Sequence, residues 1–129
     1  MSAYPVTSLY AGLCGLLLLA LSMLAIRARL RSGTPFGFGE DRRLLRAIRA
    51  QGNFAEYAPL SLILLFMLEA GGQATGLLHI LGGMVLGGRV LHAFGISREP
   101  DRLILRQMGM VLTFLSLALG SALVIVGAL

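Results

Sequence analysis

Apolar residues gather into four long blocks separated by short polar breaks. The blocks run from about Thr7 to Ile26, Ala47 to Glu69, Thr75 to Phe94 and Leu103 to Leu129. Each is near the ~20 residues a helix needs to cross a ~30 Å hydrocarbon core. Lipid offers no partner to a backbone N–H or C=O, so each block predicts an α-helix. The expectation is an all-α integral membrane protein, a four-transmembrane-helix bundle with residues 1–129 as a single domain. Gly33, Pro35, Gly37 and Gly39 mark the first break as a turn-rich loop, and Ala70-Gly71-Gly72-Gln73-Ala74 forms the second.

Composition agrees. The chain has 129 residues, 57% of them hydrophobic and 13% charged, with a mean hydropathy of +0.83. Soluble domains average about 25% charged. The net charge of +5 comes from arginine alone, with no lysine. Such a charge invites a nucleic-acid reading, but no polar face is broad enough to follow a phosphate backbone. The arginines instead flank the first and third breaks. By the positive-inside rule those loops are expected to be cytoplasmic and both termini periplasmic. A cleaved signal peptide is disfavoured, because no Arg or Lys precedes the first block and the block is too long. The absence of other targeting signals fits a bacterial inner membrane. Cys14 is the sole cysteine, so no intrachain disulfide is expected. His79 and His92 are too isolated to form a metal pair, and no metal is expected.

The second block is unusual. Arg42, Arg46, Arg49, Asn53 and Glu56 fall at i, i+4, i+7, i+11 and i+14, one stripe of a helix. An ionisable residue at mid-membrane costs at least ~2.5–3.5 kcal/mol, so such residues face a bundle interior or a wet cavity. Snorkelling interface anchors are the plain structural alternative for Arg42, Arg43 and Arg46, and an Arg49–Glu56 clamp, within α2 or across helices, is that for the pair. Arg89 and His92, at i and i+3 on the third block, and Arg106, early in the fourth, gather at the same end. An excess of buried positive charge calls for an anion. Arginine forks hold carboxylates, and a lone glutamate holds an ammonium. The residues therefore point to a small zwitterionic anion. Gly82, Gly83, Gly87 and Gly88 read as close helix packing rather than a phosphate loop.

The string Arg49-Ala50-Gln51-Gly52-Asn53-Phe54-Ala55-Glu56-Tyr57-Ala58-Pro59 resembles the second-helix signature of the MAPEG family, the membrane-associated proteins in eicosanoid and glutathione metabolism. Gly88-Arg89-Val90-Leu91-His92 is similar to that family's third-helix motif. The resemblance implies a homotrimer that binds glutathione as co-substrate between subunits. It implies glutathione contacts from Arg49, Gln51, Asn53, Glu56 and Tyr57, from Arg89 and His92, and from Arg27 or Arg29. Arg106, with Arg102 as the competing choice, would stabilise the thiolate. The implied activity is transfer of glutathione to lipophilic electrophiles or reduction of lipid hydroperoxides. Active relatives often carry tyrosine where this chain has Ile96. That departure keeps open a non-catalytic glutathione- or lipid-binding member. A small multidrug transporter is a further alternative. The lack of an acidic residue in the first block counts against it, because such pumps carry their carboxylate there.

Overall fold

The computed structural model describes residues 3–129 as four helices: α1 Pro5–Ser32, α2 Arg42–Ala70, α3 Thr75–Ser97 and α4 Leu103–Ala128. All four are long and apolar enough to cross a membrane. The helices overrun the apolar blocks chiefly at one end. There α1 continues through Arg27, Arg29 and Arg31, and α2 begins at Arg42. Long arginine stems can lie along apolar surface while their heads reach the interface, so cationic turns extend a spanning helix without breaking it.

Local chemistry sets the ends. Pro5 opens α1, where its missing N–H costs nothing. Gly33 closes α1 in the left-handed conformation, φ 65°, and its N–H donates to the Arg29 carbonyl at 3.1 Å. Arg29 also secures the following loop, donating to the carbonyls of Thr34 at 3.1 Å and Gly37 at 2.9 Å. Asp41 caps α2, accepting from the N–H groups of Arg43 at 2.8 Å and Leu44 at 3.1 Å. At the opposite end Glu69 caps a different helix. Its two carboxylate oxygens accept from Val6 N–H at 2.9 Å and Thr7 N–H at 2.7 Å, the first turn of α1. The carboxylate satisfies donors that α1 cannot satisfy itself and sits at the positive end of its dipole.

The chain runs up and down, so the ends of α1 and α3 and the starts of α2 and α4 share the basic end. α1 packs on α2 and α3 but not on α4. One apolar cluster joins Cys14, Leu21, Ala50, Phe54, Val85, Ala93 and Ile96; a second joins Val6, Leu65, Leu68, Leu78 and Leu81 toward the end that carries Glu69. Leu16, Ile63, Ile80, Val111 and Leu119 are exposed on the outside of the subunit. This surface suits lipid rather than water.

The glycine expectation holds at two of four positions. A Cβ on Gly88 would sit 2.8 Å from the Gly109 carbonyl oxygen, and one on Gly82 would overlap the Tyr10 ring. Gly87 has open space beside it, and Gly83 meets only the Tyr10 hydroxyl, at ordinary contact distance. The face of α4 that receives α3 carries Gly109, Thr113 and Ser116, and Gly120 continues the stripe against Leu64 of α2, all four buried. They recur at i, i+4, i+7 and i+11, the small-residue seam that lets membrane helices approach closely.

Candidate functional site

The polar residues of α2 occupy an arc about 80° wide at 100° per residue, and the fold divides that arc along its length. Arg42, Arg49 and Glu56 are exposed, whereas Arg46 and Asn53 are half-buried and turned toward the rest of the bundle. Arg46 pairs with Glu99 at 3.7 Å and also donates to the Arg98 carbonyl. Among the described residues Arg49 and Glu56 form no ion pair with each other. The subunit thus leaves both on its outer surface, without the clamp that their i, i+7 spacing allows.

Asn53 meets Arg89, the centre of the buried network. Arg89 is 2% exposed. Its Nε donates to Thr113 Oγ1 at 3.1 Å, and its Nη2 donates to the same oxygen at 2.7 Å. Nη2 also approaches the Gly109 carbonyl and Met110 Sδ, each at 3.4 Å. Nη1 donates to Asn53 Oδ1 and approaches the Asn53 carbonyl at 3.4 Å. The guanidinium carbon lies 5.4 Å from the centroid of the Tyr57 ring, in reach of a cation–π contact. Tyr57 in turn meets Phe114 edge-on at 5.4 Å. One cation therefore ties α2, α3 and α4 together inside a single subunit. Its donors are engaged by protein groups, as a buried cation requires.

Next to this clamp is an apolar cavity of about 480 Å³ between α3 and α4, lined by His92, Leu103, Arg106, Gln107, Met110, Val111 and Phe114. His92 is buried. Arg106 is half-exposed, and its Nη1 pairs with Asp101. Arg106 Nε is buried with no hydrogen-bond partner. Arg106 lies on this cavity wall; Arg102 does not, and its backbone N–H is bonded to the Gly95 carbonyl at 2.9 Å. Gly95 lets the start of α4 close on α3, since a Cβ there would lie 2.7 Å from Arg106 N.

The remaining residues lie elsewhere. Gln51 is half-buried on α2, and its side chain forms no hydrogen bond among the described residues. Arg27 lines a separate cavity between α1 and α2, apart from Asn53, Arg89 and His92. Arg29 is occupied with the first loop. Ile96 packs into the core with Cys14, Leu21 and Ala93, away from the α3–α4 cavity. Thr113 and Asp101 contact residues of this candidate site and are absent from its sequence pattern. Thr113 had a signal in its place on the small-residue seam of α4. Asp101 had none beyond its i, i+5 separation from Arg106. Among the described residues no group of His, Cys, Asp and Glu is placed to hold a metal.

A four-helix membrane bundle with an intramembrane arginine clamp, and an arginine–histidine cavity beside it, defines the class of this protein. The chain belongs to the MAPEG family, whose model matches residues 7–126. It is similar to "Inner membrane protein YecN" of Escherichia coli (strain K12), 36% identical over 114 residues that cover 88% of this chain and 86% of the relative. It matches the protein of that name from Escherichia coli O6:H1 to the same extent. No solved structure matches.

Proposed function

We propose that this protein is a glutathione-dependent transferase or peroxidase of the bacterial inner membrane. In this reading it works as a homotrimer, with the basic end cytoplasmic and both termini periplasmic. The observation that carries the reading is Arg106, which lines an apolar cavity shared with His92 and whose Nε is buried without an acceptor among the described residues. An unsatisfied buried N–H costs about 1–3 kcal/mol, and turning the half-exposed Arg106 side chain onto an anion in the cavity would relieve that cost. Exposed Arg49 and Glu56 supply the opposite charges that a zwitterionic tripeptide needs, and a neighbouring subunit would close the crevice over them. Arg49, Gln51, Asn53, Glu56 and Tyr57 hold the peptide in this scheme, with Arg27 reaching it from the neighbour. Arg89 fixes Asn53 and Tyr57 in place, and His92 borders the sulfur site.

Glutathione supplies the nucleophilic sulfur when bound. Arg106 holds that sulfur as its thiolate, and the apolar cavity brings the electrophile close. Val111 and Phe114 line the cavity and are exposed at the lipid-facing surface. An apolar electrophile or lipid hydroperoxide can therefore enter from the bilayer.

A second reading, a non-catalytic glutathione- or lipid-binding member, draws support from the Arg106–Asp101 pair, which competes for the same cation. Titration of the detergent-purified protein with glutathione, followed by thiolate absorbance in the ultraviolet, separates the two. A thiolate signal abolished by Arg106→Ala is expected. Binding without a thiolate selects the non-catalytic reading, and no binding, with proton-coupled cation flux in liposomes, selects a transporter.

A further inference from the structure

A second cavity, of about 550 Å³, opens at the basic end between α1, the start of α2 and the end of α3. Its walls have two chemistries. Leu21, Leu24, Ala28, Ala47 and Ala50 make an apolar floor, and the small alanines leave the space open. Arg27, Arg31, Arg43 and Arg46 line the same cavity, together with Asp41 and Glu99.

Both carboxylates have protein partners. Asp41 caps α2 through its Oδ1, and Glu99 pairs with Arg46. Arg27, Arg31 and Arg43 make no ion pair and no side-chain hydrogen bond among the described residues, and all three are exposed. Three unpaired guanidinium groups thus face one cavity whose other wall is hydrocarbon. Like charges in such a space repel one another, and a doubly coordinated oxyanion is the ligand arginine forks fit best. The apolar floor descends from the arginines along α1 toward mid-membrane, which suits a ligand with a charged head and an aliphatic tail.

We propose that this cavity binds the phosphodiester headgroup of an anionic phospholipid from the leaflet at the basic end. Arg31 and Arg43 grip the phosphate from opposite helices, and one acyl chain lies over Leu21 and Leu24. Basic pockets between membrane helices take anionic headgroups by the same electrostatics. The site is separate from the α3–α4 cavity; it shares Arg27 with the proposed glutathione reading, and the headgroup grip is therefore assigned to Arg31 and Arg43, which that reading does not use.

The test uses the full chain in neutral detergent, titrated in parallel with phosphatidylglycerol, phosphatidylcholine and glycerol 3-phosphate. Native mass spectrometry reads the adduct, and the thermal midpoint reads stabilisation. Phosphatidylglycerol is expected to bind and raise the midpoint, with little response to the other two. Each arginine near a headgroup contributes about 1 kcal/mol, so Arg31→Gln with Arg43→Gln should weaken binding about thirtyfold. Neither side chain bonds to the protein, so the double variant should keep its lipid-free midpoint and its response to glutathione. Ala28→Leu fills the cavity without altering charge and should also weaken lipid binding. Equal binding of phosphatidylcholine overturns the proposal, as does full binding by either variant. Glycerol 3-phosphate binding as tightly as the lipid would assign the cavity to a soluble phosphate instead.

Discussion

Thr113→Val tests the buried clamp with the least disturbance to shape. Thr113 has no exposed surface, and its Oγ1 receives both the Nε and the Nη2 of Arg89 while donating to the Gly109 carbonyl at 2.9 Å. Valine keeps the volume and replaces the hydroxyl by a methyl, so no cavity term enters. Arg89 Nη2 retains the Gly109 carbonyl and Met110 Sδ nearby, whereas Nε has no second acceptor. Interhelical hydrogen bonds in membranes contribute about 0.6–1.7 kcal/mol, and bonds to a charged group in general about 1.5–3 kcal/mol. Losing one fully and one in part should destabilise the bundle by about 2–3 kcal/mol. Reversible unfolding in mixed micelles of rising dodecyl sulfate content measures this. Thr113→Ser retains the oxygen and should cost under about 1 kcal/mol. With Arg89→Met in the background no cation remains to strand, and the cost of Thr113→Val should fall below about 0.5 kcal/mol. A change under about 0.5 kcal/mol in the wild-type background, or an equal cost in both backgrounds, would refute the account of Arg89 as a clamp held through Thr113.

Three other outcomes follow from the geometry. Gly109→Ala places a Cβ 2.6 Å from the backbone N of His92; separating α3 from α4 should cost about 1–3 kcal/mol or more, read by the same unfolding assay. Glu69→Gln removes the charge from the cap on α1 but keeps one acceptor, so α1 should lose about 1 kcal/mol, and hydrogen exchange at Val6 and Thr7 should quicken while that of α4 is unchanged. Asp101→Asn releases Arg106 from its carboxylate partner; under the proposed function the glutathione thiolate signal should grow, and an unchanged signal would mean that Asp101 does not limit Arg106.

The four spans were legible because hydrocarbon thickness imposes one length on any helix that crosses it. The basic end was legible because arginines cluster at the first and third breaks. The polar residues of the candidate site were legible as an inventory, since Arg49, Asn53, Glu56, Arg89 and His92 stand out in apolar surroundings. Their division of labour was not. Asn53 and Glu56 differ by about 60° on the helical wheel, and which edge of the stripe turns inward depends on how α2 is rotated against α3. The resemblance implies Arg89 as a glutathione contact. The structure engages it with Asn53 and Thr113, and Thr113 lies 24 residues further along the chain.

Hydropathy and charge therefore determine, from sequence alone, what crosses the membrane and which end carries the cations, because both are summed over whole segments. Whether a polar side chain serves the bundle or a ligand is decided only by the tertiary structure. Hydrogen bonds are short and directional, and Glu69 finds the first turn of α1 across 62 residues of chain. A donor such as Arg106 Nε stands without a partner only once α3 and α4 have packed around it.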